Sequence, residues 1–465
     1  MRVASLSRPP LRKLALAVAA VVALAACGEA ARVLSTAGMG LPPTLPLPRQ
    51  TLFPSGVFAP ITGWPGTVTR QAASGARADT LVRGADSPRW FYTLVNGNIP
   101  VAGSNAPRQP DNAQGITGWM MGLVIKGTGA GPRNASRVTL PRDSDADGVA
   151  DQRSAMRRGL NSPVGMAPLG NAAYVANTDA ILRFAYRSGD TQITDVSVLL
   201  TSVPAGLTNH HRTKNLIVSA GGSMLYVTVG SNRNVAGHGR AAEDGRAAIR
   251  EVNFATGEKR LFTAGLCNTN GLAWAAPGGS LWTVVNERDE PGGDLVPDYL
   301  ASIQDGAFYG WRWSYYGQHV DARVQPPRAD MVARARVPEC ALGNHTASLG
   351  LAWSAGSTLA ARFEQGMFIG QHGSWNSDPH SGHKVIFVPF AGGQPVGDAL
   401  AVVTALPSPV GKAYGRPVGV APDKTDSLLV ADDVGDVVWR VSASAPQCRY
   451  RSPNPVTATF KGIET

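Results

Sequence analysis

Asn268-Thr269-Asn270-Gly271-Leu272-Ala273-Trp274, leading to Ser280-Leu281-Trp282-Thr283-Val284, reads as a polar entry, a short apolar strand, a turn and a second strand. The same phrase occurs at Pro88-Arg89-Trp90-Phe91-Tyr92-Thr93-Leu94, with the turn Asn96-Gly97. It returns at Asn161-Ser162-Pro163-Val164-Gly165-Met166-Ala167, before Ala173-Tyr174-Val175-Ala176. It returns again at His211, before Leu225-Tyr226-Val227, and at Ala347-Ser348-Leu349-Gly350-Leu351-Ala352-Trp353, before Gly366-Met367-Phe368-Ile369-Gly370. The sixth copy is Gly415-Arg416-Pro417-Val418-Gly419-Val420-Ala421, before Ser427-Leu428-Leu429-Val430-Ala431-Asp432. Gly and Pro punctuate short apolar runs throughout, and helical periodicity is scarce, which points to an all-β protein. Six irregularly spaced copies of a hairpin-plus-strand unit predict a six-bladed β-propeller of four-stranded antiparallel blades. The alternative is a sandwich or a pair of β-domains. In a propeller the innermost strands surround one channel, so the polar entries of the phrases converge at one end of it.

Outward from that core, the N-terminus has the features of an export signal. Arg2, Arg8, Arg12 and Lys13 precede an apolar run from Leu14 to Ala26. Leu24-Ala25-Ala26-Cys27 resembles a bacterial lipobox, in which Cys27 becomes the lipidated first residue; the alternative is an ordinary signal peptide with a chance cysteine. Residues 1–26 are thus expected to be a lipoprotein signal peptide, and the protein to be exported, periplasmic and lipid-anchored to the bacterial membrane. Removing them takes away four cations and no anion and lowers the formal charge from +10 to +6. No basic run suggests nucleic acid as a partner. Residues 27–65, rich in Pro, read as an extended tether, residues 66–445 as the propeller, and 446–465 as a tail.

Three constellations carry chemistry. The first is Asn209-His210-His211-Arg212-Thr213-Lys214-Asn215-Leu216, two histidines just before a strand. Neutral imidazole suits proton abstraction near pH 7; the alternative is a solvated pair on a loop. The second comprises two acidic groups. Asp143, Asp145 and Asp147 alternate before Gly148, with Asp151 at the ninth place, like the first half of a calcium loop. The Glu expected at the twelfth place is Ser154, and an acidic surface turn is the alternative. Asn286-Glu287-Arg288-Asp289-Glu290-Pro291-Gly292-Gly293-Asp294 follows a strand, so Glu287, Asp289 and Glu290 stand at a blade end where they could hold Ca²⁺; an acidic turn capped by Arg288 is the other reading. The third comprises His345, His372, Lys384 and Arg416, also at blade ends. Together at one channel they would suit an anionic cofactor and a proton acceptor.

The segments Asn286–Asp289, Asp294–Tyr299, Phe308–Trp311, His345–Gly350, Gly370–Asn376 and Gly415–Val420 resemble the sorbosone dehydrogenase family. That family belongs to the wider group of PQQ-dependent soluble aldose and glucose dehydrogenases, six-bladed propellers that use Ca²⁺. The resemblance covers roughly residues 80–442. It implies oxidation of a sugar or sugar-derived aldehyde, with electrons passed to an external acceptor, a quinone or a cytochrome. It places the general base on His211, with His210 where an Asp stands in the glucose enzymes. Asn268 and Arg416 become contacts to PQQ, joined by Lys384, His372 and Thr346. Cys267 replaces an Arg. The Gly-Pro pair whose carbonyls hold Ca²⁺ in the glucose enzymes aligns with Asp289-Glu290, which leaves open whether carbonyls or side chains bind. Two other classes compete: a calcium-dependent lactonase or esterase, which needs central carboxylates and no Arg for a quinone, and a non-catalytic ligand-binding propeller lipoprotein. Cys267 and Cys340 both precede blade phrases, and an oxidising compartment lets thiols pair. A Cys267–Cys340 disulfide at the rim of the cofactor site is therefore expected, with Cys448 left free; the alternative is two unpaired buried cysteines.

Overall fold

In the computed structural model, described residues run from 31 to 444, apart from 42, 50–58, 61, 66–69, 105–135, 146, 207–208, 238, 277–278, 290, 356–358, 360, 375–376 and 405–412. Six antiparallel sheets form a six-bladed propeller, as the repeated phrase predicts. Each copy of the phrase supplies the first strand of one blade. In order these are Pro88–Phe91, Met166–Leu169, Leu216–Val218, Asn268–Trp274, Ser348–Ala355 and Pro417–Pro422. First strands of blades 2 to 6 pack successively on one another around the axis, and that of blade 6 packs on that of blade 1. The apolar faces of neighbouring sheets meet between blades. Trp90, Met166 and Phe184 join blades 1 and 2, and Trp282, Leu351 and Met367 join blades 4 and 5.

The glycine of the phrase has a steric cause. A Cβ on Gly165 would lie 2.7 Å from the backbone N of Leu216, in the first strand of blade 3. One on Gly271 would lie 2.7 Å from Leu351 N, in blade 5, and one on Gly419 would lie 2.8 Å from Arg89 O, in blade 1. Gly350 faces the Val418 carbonyl of blade 6 in the same way. The neighbour is backbone each time, so it cannot swing aside as a side chain can.

Blade 6 is closed from the other end of the chain. Its order is Pro417–Pro422, Leu428–Asp432, Val437–Ala443 and then Ala76–Arg83, a strand that precedes blade 1 in sequence. The expected tether is corrected here, because its described residues pack on the ring. Met39–Gly40 pairs with Leu342 and Ala341 as a fifth strand on blade 4. The Arg32 and Val33 amides donate to Asp294 Oδ1 at 2.8 and 2.9 Å. The Trp64 indole donates to Asp432 Oδ2 at 2.8 Å, and Arg70, fully buried, pairs with the same carboxylate between Trp64 and Trp439. Apolar and aromatic anchors turned this Pro-rich stretch into part of the fold. Residues 1–26 with the expected signal, Cys27, Glu290, Cys448 and the expected tail 446–465 lie outside the described residues.

Gly271→Ala should lower stability by about 1–3 kcal/mol, the usual cost of overpacking, read as a lower denaturant midpoint. Gly221→Ala, whose Cβ would meet nothing within 4 Å, should shift it by less than about 0.5 kcal/mol. Equal midpoints for both would remove the close-approach account.

Candidate active site at one end of the channel

Strand direction gathers the site. In an antiparallel blade the first strand begins at the same end where the second strand finishes. Residues just before first strands and just after second strands therefore meet at one mouth of the channel. His211, Arg212 and Asn268 arrive by the first route and Ser231, Glu287, His372 and Asp433 by the second; Arg416 enters just ahead of blade 6.

His211 Nδ1 lies 2.8 Å from Ser231 Oγ, whose other neighbour is the Cys267 thiol at 3.8 Å. Ser231 is fixed by its own amide, which donates to Cys267 O at 2.7 Å. The tautomer that donates Nδ1–H to Ser231 leaves the Nε2 lone pair to accept a proton. Burial, then the neighbouring His210, hold His211 well below the usual histidine range, against an opposing hydrogen bond to the Ser231 backbone; Lys214 and Arg246 add smaller lowering effects. His211 is therefore neutral at pH 7. His210 is exposed and stacks edge-on against it, centroids 4.8 Å apart. Lys214 is pushed down to about 7 by burial, then by Arg246 and Arg212.

A cluster of arginines completes the mouth. Arg89 of blade 1 reaches Asp433 at 3.3 Å, and His372 Nε2 lies 3.1 Å from the same carboxylate. Arg212 and Arg416 both feel Arg89 and Asp433. Three guanidiniums thus face one carboxylate. Arg89 Nε, Arg212 Nη1 and Arg416 Nε are buried without a hydrogen-bond partner, as is Asn268 Oδ1. Burial, then Arg89, brings Arg212 down to about 9. Burial alone would raise Asp433, but His372 and Arg89 outweigh it and hold the carboxyl well below its usual range. Beside Arg416, His383 is buried with both ring nitrogens unpartnered, and burial pushes it down to about 3. Arg416 is held by its own amide, which donates to Asp432 Oδ1 at 2.7 Å. Unpartnered buried donors of one sign, gathered in one place, can hold a small polyanion.

The remaining sequence candidates divide. Thr346 Oγ1 is committed to Asp298 at 2.8 Å, in a buried hub that also takes the Glu287 and Ser348 amides. Burial raises Asp298 to about 7 against those three donors. Lys384 begins the third strand of blade 5, two strands out from the innermost. Glu287 Oε2 binds Arg288 Nε at 2.9 Å, and Arg288 Nη1 continues to Asp321 at 3.0 Å. Asp289 lies 3.3 Å from His345 Nδ1. The described residues of the Glu287–Glu290 group thus do not assemble a metal cluster, because their carboxylates are drawn to neighbouring cations. Asp143, Asp145 and Asp147 do come together, with ligand atoms within 4.8 Å of one another. That exposed turn joins the third and fourth strands of blade 1, at the end of the ring opposite the channel mouth. Asp151 instead accepts from the Ser144 amide at 2.9 Å.

The expected disulfide is overturned: Cys267 and Cys340 are both free and buried. Cys340 does not open a later blade. It begins the fourth strand of the blade whose first strand Cys267 precedes, three strands away. At about 4.8 Å per strand that is well beyond the roughly 7 Å that a disulfide tolerates. The sequence reading missed Arg89, Arg212, Ser231, His383 and Asp433. Arg89 and Arg212 stood within quoted phrases, whereas Ser231 and Asp433 lie just past second strands, where the phrase gives no signal.

A six-bladed propeller with a buried cationic pocket beside a neutral histidine at one channel mouth is the class that fold and site define. The chain belongs to the TrAA12-like family, whose model matches residues 132–294 and 318–444. The calcium structure of the Trichoderma reesei Carbohydrate-Active Enzymes Family AA12 is 17% identical, with TM-score 0.65, over 84% of this chain and 100% of that one. The holo form of the pyranose dehydrogenase PQQ domain from Coprinopsis cinerea is 20% identical, with TM-score 0.64, over 83% of this chain and 100% of that one. The soluble aldose sugar dehydrogenase of Escherichia coli, in its apo form, is 15% identical with TM-score 0.55, over 79% of this chain and 100% of that one.

Alkylation in denaturant without reductant should label both Cys267 and Cys340. A mapped peptide joining the two would restore the disulfide.

Proposed function

We propose that the protein is a PQQ-dependent oxidoreductase of sugars or sugar-derived aldehydes, sorbosone-like compounds among them, assisted by Ca²⁺. The observation that carries this reading is the set of buried, unpartnered guanidinium atoms of Arg89, Arg212 and Arg416 beside His211. PQQ bears several carboxylates on a planar ring system, and charge-assisted bonds from arginine suit it. The PQQ domain from Coprinopsis cinerea and the aldose sugar dehydrogenase of Escherichia coli share this fold and support the reading.

When bound, PQQ would supply an ortho-quinone that takes two electrons as hydride. Arg89, Arg212 and Arg416 would hold it, with Asn268 Oδ1 as an acceptor at its edge. His211 would take the hydroxyl proton of the substrate at Nε2, with Ser231 fixing the tautomer. Burial and His210, with smaller help from Lys214 and Arg246, keep that imidazole neutral until the proton arrives. For Ca²⁺, the loop Asp143–Asp147 offers a structural place, and Glu287 Oε1 is a buried oxygen without a partner nearer the mouth. Electrons would pass to an external quinone or cytochrome, and export with lipid anchoring through Cys27 remains part of the proposal. A calcium-dependent lactonase fits less well, because it leaves the buried, unpartnered guanidinium atoms without a role. A purely ligand-binding propeller leaves the depressed His211 unexplained.

Reconstitution with PQQ, with and without Ca²⁺, followed by dye reduction over aldoses and sugar aldehydes, tests the reading. No turnover on any of them despite PQQ binding would sink it. His211→Ala should lose about two to four decades of turnover while PQQ still binds, and His210→Ala much less. Because the His211 pKa is lowered, its neutral form persists into acid. The acid limb of kcat/KM should therefore lie below about pH 6.5, the ordinary histidine value; a limb above it would exclude His211 as base.

Arg416→Ala should weaken PQQ binding by about one to two decades, the worth of one charge-assisted bond. An unchanged PQQ titration would take Arg416 out of the cofactor site.

A further inference from the structure

A second cationic cavity lies away from the channel, at the outer edge of blade 1 where blade 6 hands the chain over. Its volume is about 310 Å³, and it is lined by Gly84, Asp86, Arg137, Thr139, Arg153, Ser154 and Arg158, among others. Arg137 pairs with Asp86, the one acid among the lining residues. Arg153 Nη1 donates to the carbonyls of Arg83, at 2.9 Å, and Gly84. Arg158 has no carboxylate of its own in the cavity. Burial, then Arg158, then Arg153, lowers the Arg137 pKa, which shows how closely the three cations crowd.

A surface patch of arginines would ordinarily spread into solvent. Here a second, independent feature points inward. Thr139 is 7% exposed, and its Oγ1 has no hydrogen-bond partner. Leaving a hydroxyl buried and unpaired costs stability unless something in the cavity accepts its hydrogen bond. Three guanidiniums against one carboxylate, with the buried Thr139 hydroxyl among the lining groups, match the charge and the many acceptor oxygens of a tetrahedral oxyanion.

We propose that this cavity binds a phosphate group, either free phosphate or the phosphate of a small ester or lipid headgroup. Its position gives the binding a structural effect. Gly84 to Ser87 is the short passage from the closing strand Ala76–Arg83 to the first strand of blade 1. Arg153 already grips the carbonyls of that passage, and Arg137 grips Asp86. An oxyanion shared by Arg137, Arg153 and Arg158 would tie the passage to the outer strands of blade 1. Because it binds only the closed ring, it would stabilise the fold by mass action.

Titration calorimetry with inorganic phosphate at low ionic strength, and thermal unfolding in phosphate against chloride of equal ionic strength, test this. Wild-type protein should bind one phosphate, and its Tm should rise with phosphate beyond the chloride control. Thr139→Val keeps the shape and removes a hydroxyl with no intramolecular partner, so the protein should fold normally. It should bind phosphate about tenfold more weakly, as one lost bond to a charged group implies. Arg158→Gln, on an exposed side chain, should weaken it by at least as much. Neither should alter PQQ binding. Glycerol phosphate and phosphatidic acid vesicles set against phosphatidylcholine vesicles separate the sources. Variant-sensitive binding to the acid vesicles assigns a lipid headgroup, and binding confined to the soluble anions assigns a free phosphate or ester. Absence of phosphate heat together with a Tm equal to the chloride control, or undiminished binding by both variants, overturns the proposal.

Discussion

At the centre of the ring, the backbones of neighbouring first strands come within contact distance at four junctions, and at Gly165, Gly271, Gly350 and Gly419 only a residue without Cβ leaves room for it. That approach sets the width of the channel mouth. It also sets how near one another the residues flanking each first strand come to lie. Larger residues there would push the blades outward, and groups from blades 1, 3, 5 and 6 would no longer share Asp433 as a neighbour. The chemistry at the mouth thus depends on an absence of side chains one or two residues further down each strand.

Crowding three guanidiniums is unfavourable, and the surrounding structure absorbs the cost. Asp433 offsets part of the repulsion, while Asp432, one residue earlier, faces a different set of partners: the Arg416 amide, the Trp64 indole and buried Arg70. Two adjacent carboxylates at the end of one strand therefore divide the work. One meets the pocket, and the other fixes the backbone that carries Arg416. A comparable hub at Asp298 ties the Glu287 amide of blade 4 to Thr346 and Ser348 of blade 5. A pocket that keeps unpartnered cations has to be rigid, since a flexible one would relieve itself by turning them to water.

The propeller was legible because its phrase combines steric and hydrophobic demands that recur six times. His211, Asn268 and Arg416 were legible because they sit in or beside that phrase. Ser231 and Asp433 were not, since their importance comes from strand direction in three dimensions. Thr346 matches a cofactor contact by position, but its hydroxyl is committed to Asp298. The Cys267–Cys340 pairing failed for a related reason. Position before a phrase does not tell how many strands separate two residues within one blade. The stretch before residue 66 misled through composition. Proline richness favours extended chain, yet Trp64 and the pairing of Met39–Gly40 anchor parts of it to the ring.

The closing of blade 6 has a consequence for the order of events during synthesis. Ala76–Arg83 emerges early, but its pairing partner, Val437–Ala443, emerges last. Until then, a growing chain is an open arc whose two terminal edges are both ready to hydrogen-bond. A product truncated before Val437 would keep those edges permanently, with a sticky strand at either end of the arc. Such fragments could add to one another edge to edge, and the strands that close the finished ring would instead promote chain-to-chain assembly.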